Sequence, residues 1–419
     1  WVENEVYIEG LDQVDVQQLY RAMDFLLEAH DEIGRDVYWK VMNLFNYEVD
    51  VIFVDTTTTT FETYGEDDED ADGDDDGLRR RGYSKDSRPD LAQAVIGFAV
   101  TRDGIPLRCW VWPGNTVDMS IVEEVKRDLN DWKLGRIVMV ADTGFNSEAN
   151  RRILQGAGDA TILGERMRLG PNGSLPETLS RPGRYKTLDS GLRIKEVTVN
   201  RESVTARRFI IVHNPEQEER DRKKREEIVQ ETERRLEALQ QLGGTAHHKA
   251  TCTLRAHRTF GRYIQQTKTG KLKLDKAKIA TEAKLDGKYL ISTSDDDLSA
   301  EDVVLGYKQL LEIERVNRDL KHTVDVRPVY HRKSDRIKAH VLLCWLALLL
   351  IRVTENETGQ TWHQIKKILH PLSVAYHQTE HGKIAQTNKP TKPAKRVLDA
   401  LKLKPPERFL EVPTPENPQ

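Results

Sequence analysis

Hydrophobic positions along the chain follow two periods, and the changes between them mark the predicted elements. Over residues 1–47 the apolar residues recur at helical spacing, which predicts a helical N-terminal region. The run VDVIFVD, over 49–55, is instead continuous and β-branched, as in a buried strand, and it ends on Asp55. Further apolar runs over 91–101 and 105–113 predict a second and a third strand.

After the third strand, helical and strand patterns alternate. In chain order they predict a helix over 118–132, a strand over 136–142 that ends on Asp142, a helix over 147–158 and a strand over 160–165. The order β-β-β-α-β-α-β, three antiparallel strands followed by strands joined through helices, is the RNase H-like arrangement. The predicted fold class is therefore α/β, with an RNase H-like catalytic core built on a mixed five-stranded sheet with flanking helices.

From residue 166 the chain leaves this pattern. Polar and apolar residues alternate over 182–213, as in hairpin strands, and Asn214 then begins a long charged helix. Two more helices are predicted over 299–325 and 334–355. The predicted organisation is, in chain order, an N-terminal helical region (1–47), the first part of the RNase H-like core (48–165), a β-rich insertion with a long charged helix (166–298), the helical second part of the core (299–385) and a Pro/Lys-rich C-terminal tail (386–419).

Charge is unevenly distributed, and the average conceals this. The net charge of −4 disfavours a nucleic-acid partner, but the segment Glu66–Asp76 alone holds nine acidic residues and no basic one, so the rest carries +5. We predict that this segment is a solvated acidic loop. The stretch 249–288 has eleven Lys/Arg against three Asp/Glu, which suits either a DNA backbone or a solvated lysine-rich surface.

Neither a membrane nor an oxidising compartment is indicated. The longest apolar run, Val341–Ile351, is too short to span a bilayer and predicts a buried helix instead. The three cysteines form no C-x-x-C pair, which suits a reducing cytoplasm. No secretory signal opens the chain, which begins on Trp1 rather than Met, as a fragment would.

Asp55 and Asp142 each close a predicted apolar strand, and neighbouring strand ends can bring two carboxylates together. Metal-assisted phosphodiester chemistry needs hard oxygen ligands that converge on one or two divalent ions. A strand-end aspartate also serves as a helix cap or turn residue, so either one alone indicates little. The pair, in this strand order, predicts a metal site whose third ligand comes from elsewhere.

The helix after the insertion offers that third ligand. Seven-residue spacing places Glu314 and Lys321 on the face of Tyr307, which the sequence predicts to be apolar because Val303, Leu310 and Leu311 also mark it. Glu312 lies about 200° around the helix axis from Glu314. A glutamate on an apolar face needs a partner, either a metal ion or a buried arginine, or else it marks the start of a polar stripe.

These residues resemble the Tyr/Arg/Glu/Lys signature of insertion-sequence DDE transposases of the cut-and-paste group. The spacing Y-x6-E-x6-K is formed here by Tyr307, Glu314 and Lys321. Further blocks that resemble the family are VDTTTTTFE around Asp55, RGYSKDSRPDLAQ after it, VADTGFNSEAN around Asp142, and VRPVYHRKSDRIKAHVLLCWLALLL after the glutamate. The resemblance covers roughly residues 50–355.

The resemblance implies an enzyme and its metal. Asp55, Asp142 and Glu314 would be the catalytic residues and the ligands of Mg²⁺, with Mn²⁺ as a substitute. The enzyme would cut DNA at the ends of a transposon and join the freed end to target DNA. An RNase H-like nuclease without strand transfer and a domesticated DNA-binding relative are the alternatives.

The resemblance also implies DNA contacts and partners. Tyr307 and Lys321 would contact phosphate near the cleaved end, while Arg318 and Lys85 are further DNA-binding candidates because both are basic and close to predicted ligands in sequence. The partners would be double-stranded DNA, as terminal inverted repeats and target, and a second copy of the chain in a synaptic homodimer. The location would be the prokaryotic cytoplasm, at the nucleoid, with no membrane.

Two departures from the family's pattern leave the DNA-end mechanism open. The family often has arginine three residues after the tyrosine, where this chain has Leu310. Relatives that form a DNA hairpin stack a flipped base on a tryptophan of the insertion, and here no tryptophan lies between 143 and 300. Tyr263 or Tyr289 would take that role, or both are ordinary strand residues.

Overall fold

The computed structural model describes residues 5–8, 11, 13–45, 51–62, 65–67, 77–131, 138–155, 160–167, 178, 181–199, 207–380 and 382–411. Of the predicted acidic loop, Glu66 and Asp67 are among these residues, and the rest of that segment lies outside them. The chain divides into two compact units, Trp1–Ile137 with Gln309–Gln419 (unit 1) and Val138–Lys308 (unit 2).

The described elements between Val51 and Glu165 follow the order predicted from the sequence. The α-helices are α1 (Val16–Glu28), α2 (His30–Phe45), α3 (Val122–Asp131), α4 (Glu148–Gln155), α5 (Pro215–Gln240), α6 (Gly244–Ala256), α7 (Lys276–Ala283), α8 (Ala300–Lys308), α9 (Leu310–His322), α10 (Ser334–Thr358), α11 (Trp362–Leu369) and α12 (Lys392–Ala400). The strands are β1 (Val51–Thr60), β2 (Gln93–Thr101), β3 (Pro106–Pro113), β4 (Val138–Ala141), β5 (Ala160–Glu165), β6 (Lys186–Thr187), β7 (Arg193–Val199), β8 (Arg207–His213), β9 (Ile264–Gln266), β10 (Leu272–Leu274), β11 (Lys288–Thr293), β12 (Val374–Thr379), β13 (Gly382–Thr387) and β14 (Phe409–Glu411).

In unit 1, β1, β2 and β3 pair antiparallel in that order. Strand β1 continues through five threonines to Thr60, so Asp55 lies in the middle of the strand, opposite Phe98. The prediction that this strand ends on Asp55 is wrong, because threonine is β-branched and continues a buried strand as valine does. Asp55 is half-buried, whereas every other residue of β1 is buried.

The helix predicted over 299–325 is broken into two. Helix α8 ends at Lys308 and α9 begins at Leu310. Between them, Gln309 has a ψ of −6°, and its carbonyl accepts from the backbone N–H of Glu312 at 2.9 Å. This i→i+3 bond is a local 3₁₀ turn at the start of α9.

The helix predicted to be buried in the C-terminal half is α10. Among the described residues it alone is long and apolar enough to cross a membrane. However, 61% of its most apolar stretch is buried inside the protein, as in a core helix. Trp345, 1% exposed, donates its Nε1–H to the backbone oxygen of Pro106 at 2.8 Å. The buried Arg352 is paired with Asp319 and Glu355, so its charge is compensated inside the unit.

Unit 2 contains a mixed sheet. Strands β4 and β5 pair in parallel, and α4 makes the crossover between them. From β5 the sheet continues antiparallel through β11, β8, β7 and β6. The chain order β1-β2-β3-α3-β4-α4-β5 is the predicted RNase H-like order, and the predicted α/β class with a mixed sheet is confirmed.

A helical arm, formed by α5, α6 and the strand pair β9–β10, follows β8 in unit 2. Helix α5 begins after Asn214, as predicted: the Asn214 side chain caps it by accepting two backbone N–H groups of its first turn, and Pro215 occupies the first helical position. The arm has a small apolar core formed by Leu239, Leu254 and Leu272. The basic stretch 249–288 therefore includes folded elements, from α6 to the start of β11.

Candidate active site

Asp55 is held through both of its carboxylate oxygens. Its side chain is 21% exposed. Oδ2 accepts a hydrogen bond from Asn317 Nδ2 at 3.0 Å, and Oδ1 lies 3.6 Å from Lys85 Nζ. A carboxylate whose orientation is fixed by such partners is preorganised to bind a cation.

The ammonium group of Lys85 lies inside this network. It donates to the backbone oxygen of Thr56 at 2.6 Å and to Thr56 Oγ1 at 2.5 Å, and it lies 3.5 Å from Asp118 Oδ2. Thr56 Oγ1 donates in turn to Asp118 Oδ1 at 2.5 Å. The structure thus places Lys85, a predicted DNA-binding residue, between two carboxylates of unit 1.

The sequence predicts Glu314 on a buried face of its helix. In the structure Glu314 is exposed on α9. The helix buries Ile313, Val316 and Leu320, each 0% exposed, whereas Leu311 is 60% exposed. The predicted face is wrong because the apolar stripe that α9 buries is formed by these three residues and not by the positions at seven-residue spacing from Tyr307.

Glu314 nevertheless lies on the flank of α9 that borders Asp55. Asn317, which contacts Asp55, follows Glu314 by three residues and Lys321 follows it by seven, so the three side chains span about 60° around the helix. Glu312, about 200° from Glu314, lies on the opposite flank. The two glutamates therefore point away from each other, as the sequence predicts.

Lys321 and Arg327 share one carboxylate partner. Lys321 Nζ donates to Asp86 Oδ1 at 2.7 Å, and Arg327 Nη1 donates to Asp86 Oδ2 at 3.0 Å. The side chain of Lys321 is 12% exposed, so its charge is compensated within the protein. Arg318, one turn after Glu314, is exposed.

In unit 2, Asp142 directly follows β4 and is exposed. The hydroxyl of Tyr307 donates to Asp142 Oδ1 at 3.1 Å. Gly164 in β5 leaves room for this contact, since a Cβ there would lie 2.3 Å from the hydroxyl oxygen of Tyr307. The structure thus joins one predicted metal ligand to a predicted DNA-contacting residue.

The two tyrosines considered for base stacking have other surroundings. Tyr263 is 3% exposed, too buried to stack on a base. Tyr289 packs against Tyr307, with ring centroids 5.9 Å apart. Burial raises the pKa of Tyr289 to about 12, so it remains a neutral phenol at physiological pH.

The residues around Asp55 suit a divalent cation. Among the described residues, no group of three or more His, Cys, Asp or Glu side chains is arranged to hold a metal. However, Asn317 Oδ1 is buried and has no hydrogen-bond partner in the part of the chain that the structure describes. Such an oxygen, with the carboxylates of Asp55 and Asp118, belongs to the donor types that hard divalent ions prefer. The Lys85 ammonium already occupies a cation position between these carboxylates.

Three residues of this site are not predicted by the sequence. Asn317 carries a usable signal, because it lies one helical turn after Glu314 and shares its flank. Thr56 and Asp118 carry none, since 62 residues separate them and only the folded unit brings them together.

Comparisons with known proteins identify a family. The family model described as the transposase DDE domain matches residues 48–350. No curated protein matches the chain. Among solved structures, the piggyBac transposase synaptic complex with hairpin DNA is 11% identical with a TM-score of 0.36, over 84% of this chain and 52% of that one. The Mos1 transposase paired-end complex with left transposon end is 10% identical with a TM-score of 0.19, over 37% of this chain and 45% of that one.

The chain thus spans about half the length of the chains in these two solved structures. Both TM-scores lie below 0.5, so the match to the family model carries the assignment alone.

Proposed function

Because the chain belongs to the transposase DDE domain family, we propose that it is the catalytic part of a DNA transposase. It would cut a strand at the transposon end by hydrolysis and then join the freed 3′-hydroxyl to target DNA. One observation supports this beyond the family match. Asp55 is fixed by Asn317 at 3.0 Å, and Glu314 lies one turn before Asn317 on the same flank of α9. Two acidic residues of the proposed triad therefore belong to one helix–strand contact.

We assign Asp55, Asp142 and Glu314 as the catalytic residues and metal ligands, with Mg²⁺ as the ion and Mn²⁺ as a substitute. Members of this family depend on a divalent metal. When bound, the ion would activate the attacking water or 3′-hydroxyl and stabilise the leaving oxygen. The chain's own contribution is orientation, since Asn317 donates to Asp55 and Tyr307 donates to Asp142.

The proposed substrate is double-stranded DNA, as terminal inverted repeats and as target. Arg318 is the first candidate for a phosphate contact, because it is exposed one turn after Glu314. Lys321 and Lys85 would contact phosphate by exchanging a carboxylate partner for it, since both ammonium groups are engaged within unit 1. A homodimer in the synaptic complex and a location at the nucleoid of the prokaryotic cytoplasm complete the proposal.

The experiment is a joining assay with the purified chain. It uses linear DNA that carries the inverted repeats flanking the coding region, a supercoiled target plasmid, and Mg²⁺ or EDTA. The proposal expects metal-dependent nicks at the repeat ends and covalent joining of these ends to the plasmid.

Two other outcomes separate the alternatives. Metal-dependent cleavage without joined product would identify a nuclease of the same fold. Binding of the repeats with neither product would identify a DNA-binding relative.

A further inference from the structure

Four oxygen atoms line the position of the Lys85 ammonium group. Two belong to Thr56, the backbone oxygen at 2.6 Å and Oγ1 at 2.5 Å, and the others are Asp118 Oδ2 at 3.5 Å and Asp55 Oδ1 at 3.6 Å. The side chains of Asp55 and Asp118 are 21% and 24% exposed, so solvent reaches them only in part. Carboxylate and backbone oxygens around one cation are the environment that a hard divalent metal takes in proteins.

The cation at this position is needed to keep the two carboxylates together. Asp55 and Asp118 both approach one ammonium group, and without a positive charge between them they would repel each other. Thr56 Oγ1 donates to Asp118 Oδ1, which leaves Asp118 Oδ2 for the ammonium group. Asp118 is thus oriented towards the cation position by a neighbour of Asp55.

We propose that Asp118 is a further acidic residue of the metal site, and that Lys85 is a tethered cation that occupies this site until a divalent metal displaces it. The inference rests on the proposed function, because it takes Asp55 as a metal ligand. Lys85 is suited to leave, since its ammonium group ends a flexible four-carbon chain. It is a positioning residue that keeps Asp55 and Asp118 in place before the metal arrives.

Removing the charge of Lys85 and removing that of Asp118 should change the affinity for divalent metal in opposite directions. Lys85→Met removes the competing cation and leaves two carboxylates that a metal can neutralise, so divalent metal should bind more tightly. Asp118→Asn removes one carboxylate and leaves the competitor, so divalent metal should bind more weakly. A purely structural role of Lys85 would predict lower stability in Lys85→Met but no gain in metal affinity.

The experiment measures Mn²⁺ binding to the full chain by electron paramagnetic resonance of the free ion. Asp55→Asn supplies the background from other acidic groups, among them the segment Glu66–Asp76. After subtraction, Asp118→Asn should raise the dissociation constant on the order of tenfold, as the loss of groups that hold or position metal ligands does. Lys85→Met should lower it on the order of tenfold, because a competing unit charge next to both carboxylates is removed.

Arg336→Met is the matched control. Arg336 also forms an ion pair in unit 1, but its partner is Asp24, so the variant should bind Mn²⁺ as the wild type does. Thermal unfolding in EDTA and in Mn²⁺ gives a second measurement, in which Lys85→Met should melt lower without metal and gain more from it than the wild type.

Each failure has a separate meaning. An unchanged dissociation constant in folded Lys85→Met would overturn the role of a displaceable cation. An unchanged constant in Asp118→Asn, which keeps the ion pair between Lys85 and Asp55 and buries no uncompensated carboxylate, would by itself overturn the proposal. If Asp55→Asn binds as much Mn²⁺ as the wild type, the proposed metal site itself fails.

Discussion

Asn317 explains how Asp55 can be prepared for a cation. Its Nδ2 donates to Asp55 Oδ2 at 3.0 Å, while its Oδ1 is buried without a hydrogen-bond partner among the described residues. A buried oxygen without a hydrogen-bond partner costs about 1–3 kcal/mol, so an amide at this position is destabilising unless both its nitrogen and its oxygen have partners. A cation beside Asp55, or a water bound to it, would supply the partner of Asn317 Oδ1.

Replacement of this amide by a carboxylate tests the contact. Asn317→Asp sets a second negative charge against Asp55, so the free energy of unfolding at pH 7 without metal should fall by about 1–3 kcal/mol. Urea denaturation measures the change. Asn356→Asp is the control, because this exposed amide donates to the neutral backbone oxygen of Asp103, so the new charge faces no carboxylate there and the loss should be smaller than in Asn317→Asp. Wild-type stability in Asn317→Asp would mean that the two side chains do not face each other.

A single glycine tests the corresponding contact in unit 2. In Gly164→Ala the added Cβ would lie 2.3 Å from the hydroxyl oxygen of Tyr307, so that hydroxyl must leave Asp142. Overpacking of this kind should lower the free energy of unfolding by about 1–3 kcal/mol, as measured by chemical denaturation. Gly243→Ala, where nothing lies within 4 Å, should cost about 0.5 kcal/mol or less. An equal loss in both variants would contradict the contact.

At the scale of elements, the orientation of α9 decides which side chains reach Asp55. The helix buries Ile313, Val316 and Leu320 and leaves Leu311 60% exposed, which turns Asn317 towards β1 and Glu312 away from it. The rotation of this one helix therefore selects Glu314 over Glu312 as the acidic residue on the flank bordering Asp55.

Two identical substitutions on α9 test that orientation. Leu320→Ala should lower the free energy of unfolding by about 2–5 kcal/mol, because Leu320 is 0% exposed and its removal leaves a cavity. Leu311→Ala, at 60% exposure, should change it by about 0.5 kcal/mol or less. Urea denaturation of both variants measures the difference. A larger loss from Leu311→Ala would show that the helix is rotated differently.

The sequence predicts the elements well where one period governs a whole segment. Strand β4 ends at Ala141, just before Asp142, because the apolar run stops there. Strand β1 runs past Asp55 because threonines serve a strand as well as valines. The break at Gln309 has no proline to announce it, and the nearby Gly306 lies within α8 itself, so the sequence predicts one helix and the wrong apolar face. Contacts such as that between Lys85 and Asp118 depend on tertiary structure, which no local pattern contains.

At the scale of the whole molecule, charge is arranged locally. The net charge is −4, yet the segment Glu66–Asp76 supplies nine acidic residues. Many basic side chains are also compensated within the protein, as Lys321 is by Asp86. DNA affinity should therefore depend on exposed cations such as Arg318 rather than on the net charge, and it should fall steeply with salt.

The salt dependence of DNA binding tests this view of charge. Arg318→Ala should weaken binding to all DNA sequences and reduce the slope of log affinity against log salt by about 1, as for the loss of one phosphate contact. Fluorescence anisotropy over a salt series measures the slope. Arg234→Ala is the control, because Arg234 lies on α5 among Glu231, Glu233 and Glu237, whose carboxylates repel phosphate, and it should leave the slope unchanged. An unchanged slope in Arg318→Ala would remove Arg318 from the DNA interface.

The most direct test compares two glutamates two residues apart on α9. Glu314→Gln removes the proposed metal ligand, whereas Glu312→Gln makes the same change on the opposite flank of the helix. For both variants we would measure cleavage, in Mg²⁺, of linear DNA that carries the terminal inverted repeats, and binding of the same DNA. We expect Glu314→Gln to abolish cleavage with binding largely retained, and Glu312→Gln to cleave nearly as the wild type does. Wild-type cleavage by Glu314→Gln would contradict the assignment, and loss of binding together with cleavage would point to a structural role instead.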